Sequence, residues 1–162
     1  MSIVFTLAPY HVLGFSLLYG TTTFHSYISS PIAFKVLPRK EFGVLQKHIF
    51  PGYFLAQSVG PILIGLTAPY TLATAGIASL VVSSLGGLVN YAYLLPKTQG
   101  IKEQRLALNE DEAAEPSAEM KKLTSQFGKF HGLSLLFNLV SFLGLTVYGF
   151  QLTKGLLKTI PK

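Results

Sequence analysis

Two long stretches of this 162-residue chain carry no Asp, Glu, Lys or Arg: the first 34 residues, and the 48 from Ile49 to Pro96. A helix needs only about 20 apolar residues to cross the ~30 Å hydrocarbon core of a bilayer. The first run is therefore long enough for one span, and the second for two. The whole chain is 12% charged with a mean hydropathy of +0.46, about half the charge of an ordinary soluble domain. It contains no cysteine, which excludes disulfides and thiol-based metal or redox chemistry.

These limits predict an all-α, four-span transmembrane bundle, with residues 1–162 forming a single membrane domain. The spans are expected at about 9–34, 50–66, 70–95 and 130–152, with a polar loop over 97–124 that is partly helical around Lys102–Leu108. Pro9 suits a first helical turn. Pro69 disfavours helix at Ala68 and so marks a break between spans two and three. Pro31 is expected to loosen the end of the first span, and Pro61 to kink the second. Residues 34–50 place Phe42, Leu45 and Ile49 at helical spacing, with Arg39, Lys40, Lys47 and His48 elsewhere. Two readings stay open for this segment: a short amphipathic interfacial helix or a basic connecting loop.

The net charge of +6 is unevenly placed. Ten of the thirteen Lys and Arg fall in the two long connections and three after the last span, which predicts cytosolic connections and termini on the far side. No basic helix interleaved with aromatics occurs, so nucleic acid is not an expected partner. The amino-terminal residues lack both a basic n-region and an Arg-rich amphipathic pattern, so neither a cleaved secretory signal nor a transit peptide is expected.

Each span carries a polar or small-residue stripe. His11, Thr22, His25 and Ser29 are whole helical turns apart; His131, Ser134, Asn138 and Ser141 share a face; Ser79, Ser83 and Gly87 repeat every four residues near Asn90, as do Gly52, Ala56 and Gly60. Small residues at this spacing let backbones approach, and inward polar groups bond across helices. Packing alone accounts for most of them. Histidine inside a span is costly enough to mark a site. The candidate intramembrane polar cleft is His25, Ser29, Asn90 and Asn138, with His11, His48 and His131 expected near membrane surfaces.

His11 and His25 have a two-haem spacing, but fourteen positions after His131 stands Leu145. No cofactor and no metal is therefore expected. No carboxylate lies in a span, and no phosphate loop, nucleophile elbow or zinc-protease motif occurs, so no enzyme is expected.

Several segments resemble the transmembrane-protein-205-like family: HVLGFSLLYG; SYISSPIAFKVLPRKEFGVLQKHIFPGYF; Asn90 followed by Leu95-Pro96-Lys97-Thr98; and FGKFHGLSLLFNL at 127–139. The likeness extends over about Tyr10–Gly149, while the chain departs in lacking tryptophan and in its short acidic loop. The resemblance implies four spans, no established enzymatic activity, and an address in the mitochondrial outer membrane, with the endoplasmic reticulum as the alternative. By the predicted topology, Arg39, Lys47, His48, Lys97, Lys129 and His131 gather on one side, as a rim for anionic lipid or another anionic ligand or as ordinary basic flanks. Two functions follow. One is a non-enzymatic organiser or adaptor that binds membrane lipids or membrane-protein partners. The other is a small transporter with a polar cleft, working as a homo-oligomer.

Overall fold

The computed structural model describes residues 3–108 and 115–159, and no strand occurs among them. After a 3-10 turn at Ile3–Phe5 come α1 (Leu7–Phe24), a π-helical turn (His25–Ser29) and α2 (Ser30–Val36), without interruption. Leu37 is extended, with ψ of 142°, as a residue before proline prefers. That ends the first helical stretch. α3 (Arg39–Leu66) then returns, with Glu41 in its first turn, where a carboxylate complements the unpaired N–H groups. Residues 67–73 turn the chain at Pro69, as expected from the sequence. α4 (Thr74–Val89), a second π-helical turn (Asn90–Leu94) and α5 (Leu95–Ala107) form another unbroken stretch, and α6 (Ala118–Thr159) completes the fold.

Among the described residues three helices are long and apolar enough to cross a membrane: Arg39–Leu66, Thr74–Ala107 and Ala118–Lys158. The first expected span is not among them. Its leading helix is only 18 residues and includes Tyr10, His11 and three consecutive threonines, which lower its mean hydropathy.

Other boundaries also differ from expectation. The basic segment after Pro38 is no separate interfacial helix or loop but the first turns of α3. Nothing between Arg39 and Phe50 breaks a helix, and Pro51 and Pro61 are both accommodated inside it. The polar stretch 97–124 is helix at both ends, in α5 and α6. Most of its acidic centre lies outside the described residues. The segment expected as a fourth span sits within a 42-residue helix, roughly 63 Å long at 1.5 Å per residue. α6 therefore extends well beyond a hydrocarbon core.

Both π-helical turns end two residues before a proline, Pro31 and Pro96. In each, the next amide reaches back five residues: Ser30 N–H to the His25 carbonyl, Leu95 N–H to that of Asn90. A proline ring crowds the carbonyl four residues earlier, and a widened turn relieves this. Pro51 and Pro61 sit in unbroken α-helix, so proline alone does not dictate the widening. The two widened turns also share a buried polar first residue, His25 and Asn90.

α4 is central, packing most extensively on α6 and α3, while α1 leans more lightly on α3 and α6. The close approach rests on glycine. A Cβ at Gly87 would lie 2.5 Å from the Gln57 backbone carbon; one at Gly86, 2.8 Å from the Phe137 carbonyl oxygen; one at Gly144, 2.7 Å from that of Ser79.

Candidate functional site

Polar side chains are buried beside an apolar core around Leu80, Leu145 and Tyr148, and many apolar ones face outward. Gln57, Ser83, Asn90 and Ser141 are fully buried, whereas Leu17, Ile62, Val81, Leu136 and Phe150 are exposed. A water-soluble bundle has the reverse arrangement. A helix in lipid gains nothing by hiding leucine, but must satisfy its polar groups within the protein.

Ser83 and Ser141 pair with each other, Oγ to Oγ at 3.2 Å, while Gln57 belongs to a layer of mutually bonded polar groups. Tyr53 Oη donates to Asn138 Oδ1 at 2.8 Å, and Asn138 Nδ2 donates to Ser26 Oγ at 2.9 Å. Ser26 Oγ lies 2.7 Å from Tyr53 Oη. A phenol has one proton, and here Asn138 receives it, so Ser26 donates to Tyr53 and closes the ring. Gln57 Nε2 adds two more bonds, at 3.0 Å to Tyr53 Oη and 2.8 Å to Asn138 Oδ1. Such a cycle is cooperative, each donor strengthening the next. It joins the first π-helical turn, α3 and α6.

The second π-helical turn reaches the same part of the bundle. Asn90 Nδ2 donates to the Ser134 carbonyl at 3.1 Å, one turn before Asn138. Gly87, three residues before Asn90, packs on Gln57. His25 packs its ring on Tyr53 with centroids 4.6 Å apart and edge-on to Phe50 at 5.9 Å. Among the described residues six buried polar atoms have no hydrogen-bond partner: Thr22 Oγ1, His25 Nε2, Gln57 Oε1 and Asn90 Oδ1, and, elsewhere, Gln46 Oε1 and Arg105 Nε.

Of the residues marked as a cleft, Asn138 belongs to the ring, and His25 and Asn90 adjoin it. Ser29 is half-buried and outside it. Tyr53, Gln57 and Ser26 were not singled out from sequence as polar-layer residues. The available signal was Gln57 itself, an amide in a charge-free run one turn after Tyr53.

His11, on the polar face expected of the first span, is 1% exposed, with Nε2 2.8 Å from Tyr148 Oη and Nδ1 3.3 Å from Thr67 Oγ1. Thr67 spends its proton on the Leu63 carbonyl at 2.8 Å. A neutral His11 must then donate from Nδ1 and accept from Tyr148 at Nε2. This second knot ties α1 to the end of α3 and to α6.

The residues expected to form a basic rim lie towards the opposite end, where α3 starts, α5 ends and α6 starts. Arg39 sits over the Phe34 ring at 5.7 Å, and Lys47 pairs with Glu103 at 3.3 Å, linking α3 to α5. His48 donates to the Val44 carbonyl at 2.9 Å and is exposed. His131 stacks on Phe127, which also lies under Arg105. Lys97 and Lys129 are exposed. The Lys47–Glu103 pair is well solvated, and such pairs contribute little stability.

Three long apolar helices, an apolar outer surface and buried polar groups are the features expected of an integral membrane protein. Residues 13–107 match the family described as domain of unknown function DUF4149, and the chain belongs to that family. It is also similar to "Xanthocillin biosynthesis cluster protein D" of Aspergillus fumigatus, at 29% identity over 161 residues covering 95% of this chain and 94% of that protein. No solved structure matches the chain.

Proposed function

We propose that this chain is a four-span, non-enzymatic membrane organiser that binds lipids or partner proteins at its basic end. The single observation that carries the reading is the closed polar layer, in which Ser26, Tyr53, Gln57 and Asn138 bond to one another. A carrier needs polar side chains directed into an open path. Here glycine contacts bring α3, α4 and α6 together beside that layer, which favours the organiser.

The stretch from Leu7 to Val36 serves as the additional span, first in chain order. Its 30 residues give roughly 45 Å of helix, and His11, Thr22 and His25 are buried while Leu13, Leu17, Phe24 and Ile32 face outward. Mean hydropathy counts polar residues that the bundle hides from lipid.

The relative named for a xanthocillin biosynthesis cluster supports a role in service of a small-molecule pathway. The resemblance noted from sequence supports the mitochondrial outer membrane as the address, which subcellular fractionation tests against the endoplasmic reticulum.

Replacing Arg39, Lys97 and Lys129 together by Gln is expected to weaken preference for anionic over zwitterionic phospholipid roughly tenfold, each base near the surface contributing about 1 kcal/mol before screening. Displacement of a spin-labelled phosphatidylserine from the reconstituted protein reads this. Unaltered, salt-insensitive preference would sink the proposal of a lipid-binding rim.

A further inference from the structure

The seam between α3 and α5 holds a base outside the rim expected from sequence. Gly43 leaves a notch in α3, and Lys102 of α5 fills it: a Cβ at Gly43 would strike the Lys102 ammonium and lie 3.2 Å from its Cε. Lys102 is half-buried, laid against α3, although an ammonium is a strongly hydrated point charge.

Its neighbours on α3 are bases. Arg39 and Lys47 stand one turn before and one turn after Gly43, and Lys40 three residues before it, so they share the face on which Lys102 lies. Arg39, Lys40 and Lys47 are exposed. The acids do not balance them. Glu103 pairs with Lys47 at 3.3 Å. Glu41, two positions from Gly43, projects from the opposite side of α3. Among the described residues Lys102 has no carboxylate partner. Four bases thus meet one acid along the seam, and like charges held together repel unless an anion joins them.

Depth and charge give the class of that anion. The charge-free run spans Ile49 to Pro96, and Gly43 and Lys102 each lie six residues beyond one of its ends, roughly 9 Å along a helix. Headgroups occupy about 5–8 Å on each side of the hydrocarbon. The notch therefore sits at the outer edge of the headgroups. A phosphodiester carries a single charge and is flanked on both sides by its esters. A phosphomonoester projects outward with a charge of about −1.5 to −2 and three free oxygens, which suits several converging bases. We infer that the α3–α5 seam binds the phosphomonoester headgroup of a lipid such as phosphatidic acid, with Arg39, Lys47 and Lys102 bonding its oxygens. The inference deepens the reading of a lipid-binding basic end and rests on it.

Association of spin-labelled phosphatidic acid and phosphatidylserine with the reconstituted protein, in bilayers of matched surface charge, tests the assignment, with phosphatidylcholine as the neutral reference. Phosphatidic acid is expected to be preferred over phosphatidylserine, and Lys102→Gln to lower that preference about fivefold, the equivalent of the ~1 kcal/mol that one base contributes near a surface. Gly43→Ala puts a methyl where the ammonium sits and removes no charge; it is expected to have a similar effect. Lys102→Arg is expected to keep most of the preference, and Lys154→Gln, near the far end of α6, all of it. Equal association of the two anionic lipids, or a phosphatidic acid preference unchanged in both Lys102→Gln and Gly43→Ala, overturns this inference while leaving a general basic end intact. Association of neither anionic lipid above phosphatidylcholine overturns the basic-end reading as well. Displacement of bound phosphatidic acid by soluble glycerol 3-phosphate makes the ligand a soluble phosphate ester and overturns the lipid assignment.

Discussion

Gly87→Ala is expected to destabilise the bundle by about 3 kcal/mol, the upper part of the range for over-packing a tight interface. Its new methyl would sit 2.5 Å from the Gln57 backbone carbon and 2.7 Å from the Ser58 nitrogen. Backbone cannot rotate away as a side chain can, so α4 must withdraw from α3. Withdrawal also strains the polar layer, because Gln57 bonds both Tyr53 and Asn138. Gly52→Ala is the matched control: its Cβ meets nothing within 4 Å, and the change is expected to stay within about 0.5 kcal/mol. Reversible unfolding in mixed micelles measures both. Equal stability of the two variants would contradict the packing described for α3 and α4.

Asn138→Leu is expected to lose about 2 kcal/mol. Leucine keeps the branched heavy-atom skeleton and is the bulkier of the two, so no cavity forms and the loss reports chiefly the polar contacts. Three bonds disappear, those to Tyr53, Gln57 and Ser26, and interhelical bonds in membranes average about 0.6 kcal/mol each with a maximum near 1.7. A double-mutant cycle with Gln57→Leu is expected to show about 1 kcal/mol of coupling, since both residues belong to one network. Strict additivity would mean that the ring of bonds does not act as a unit.

The large outline of the fold was legible because bilayer thickness and charge-free length constrain each other. The break at Leu66–Pro69 was legible for a local reason, the conformational restriction that proline imposes on Ala68. Helix ends in the basic and polar segments were not. Arg39–Phe50 and Lys97–Ala107 are soluble enough to be loops, and they become helix by continuing turns already nucleated in the neighbouring spans.

The polar layer was half legible. Asn90, Asn138 and His25 stand out as expensive groups in apolar runs. Their partners do not: Asn138 bonds residues 81, 85 and 112 positions away. His11 is the same case, since its partner Tyr148 is 137 residues distant. Gly52 and Ala56 show the limit of pattern reading most sharply. Their four-residue spacing is the same as that of Ser83 and Gly87, yet one pair borders open space and the other a tight interface. Spacing says which residues share a face; the partner helix decides whether that face closes.

The central claim is that the chain from Leu7 to Val36 crosses the membrane as the first of four spans. The chain has no native cysteine, so single reporters can be introduced cleanly. Val4→Cys, Lys40→Cys, Gln104→Cys and Lys154→Cys, probed with a membrane-impermeant maleimide in sealed vesicles, measure this directly. The four-span account predicts that positions 4 and 154 label from one side, and 40 and 104 from the other. Labelling of positions 4 and 40 from the same side would contradict it.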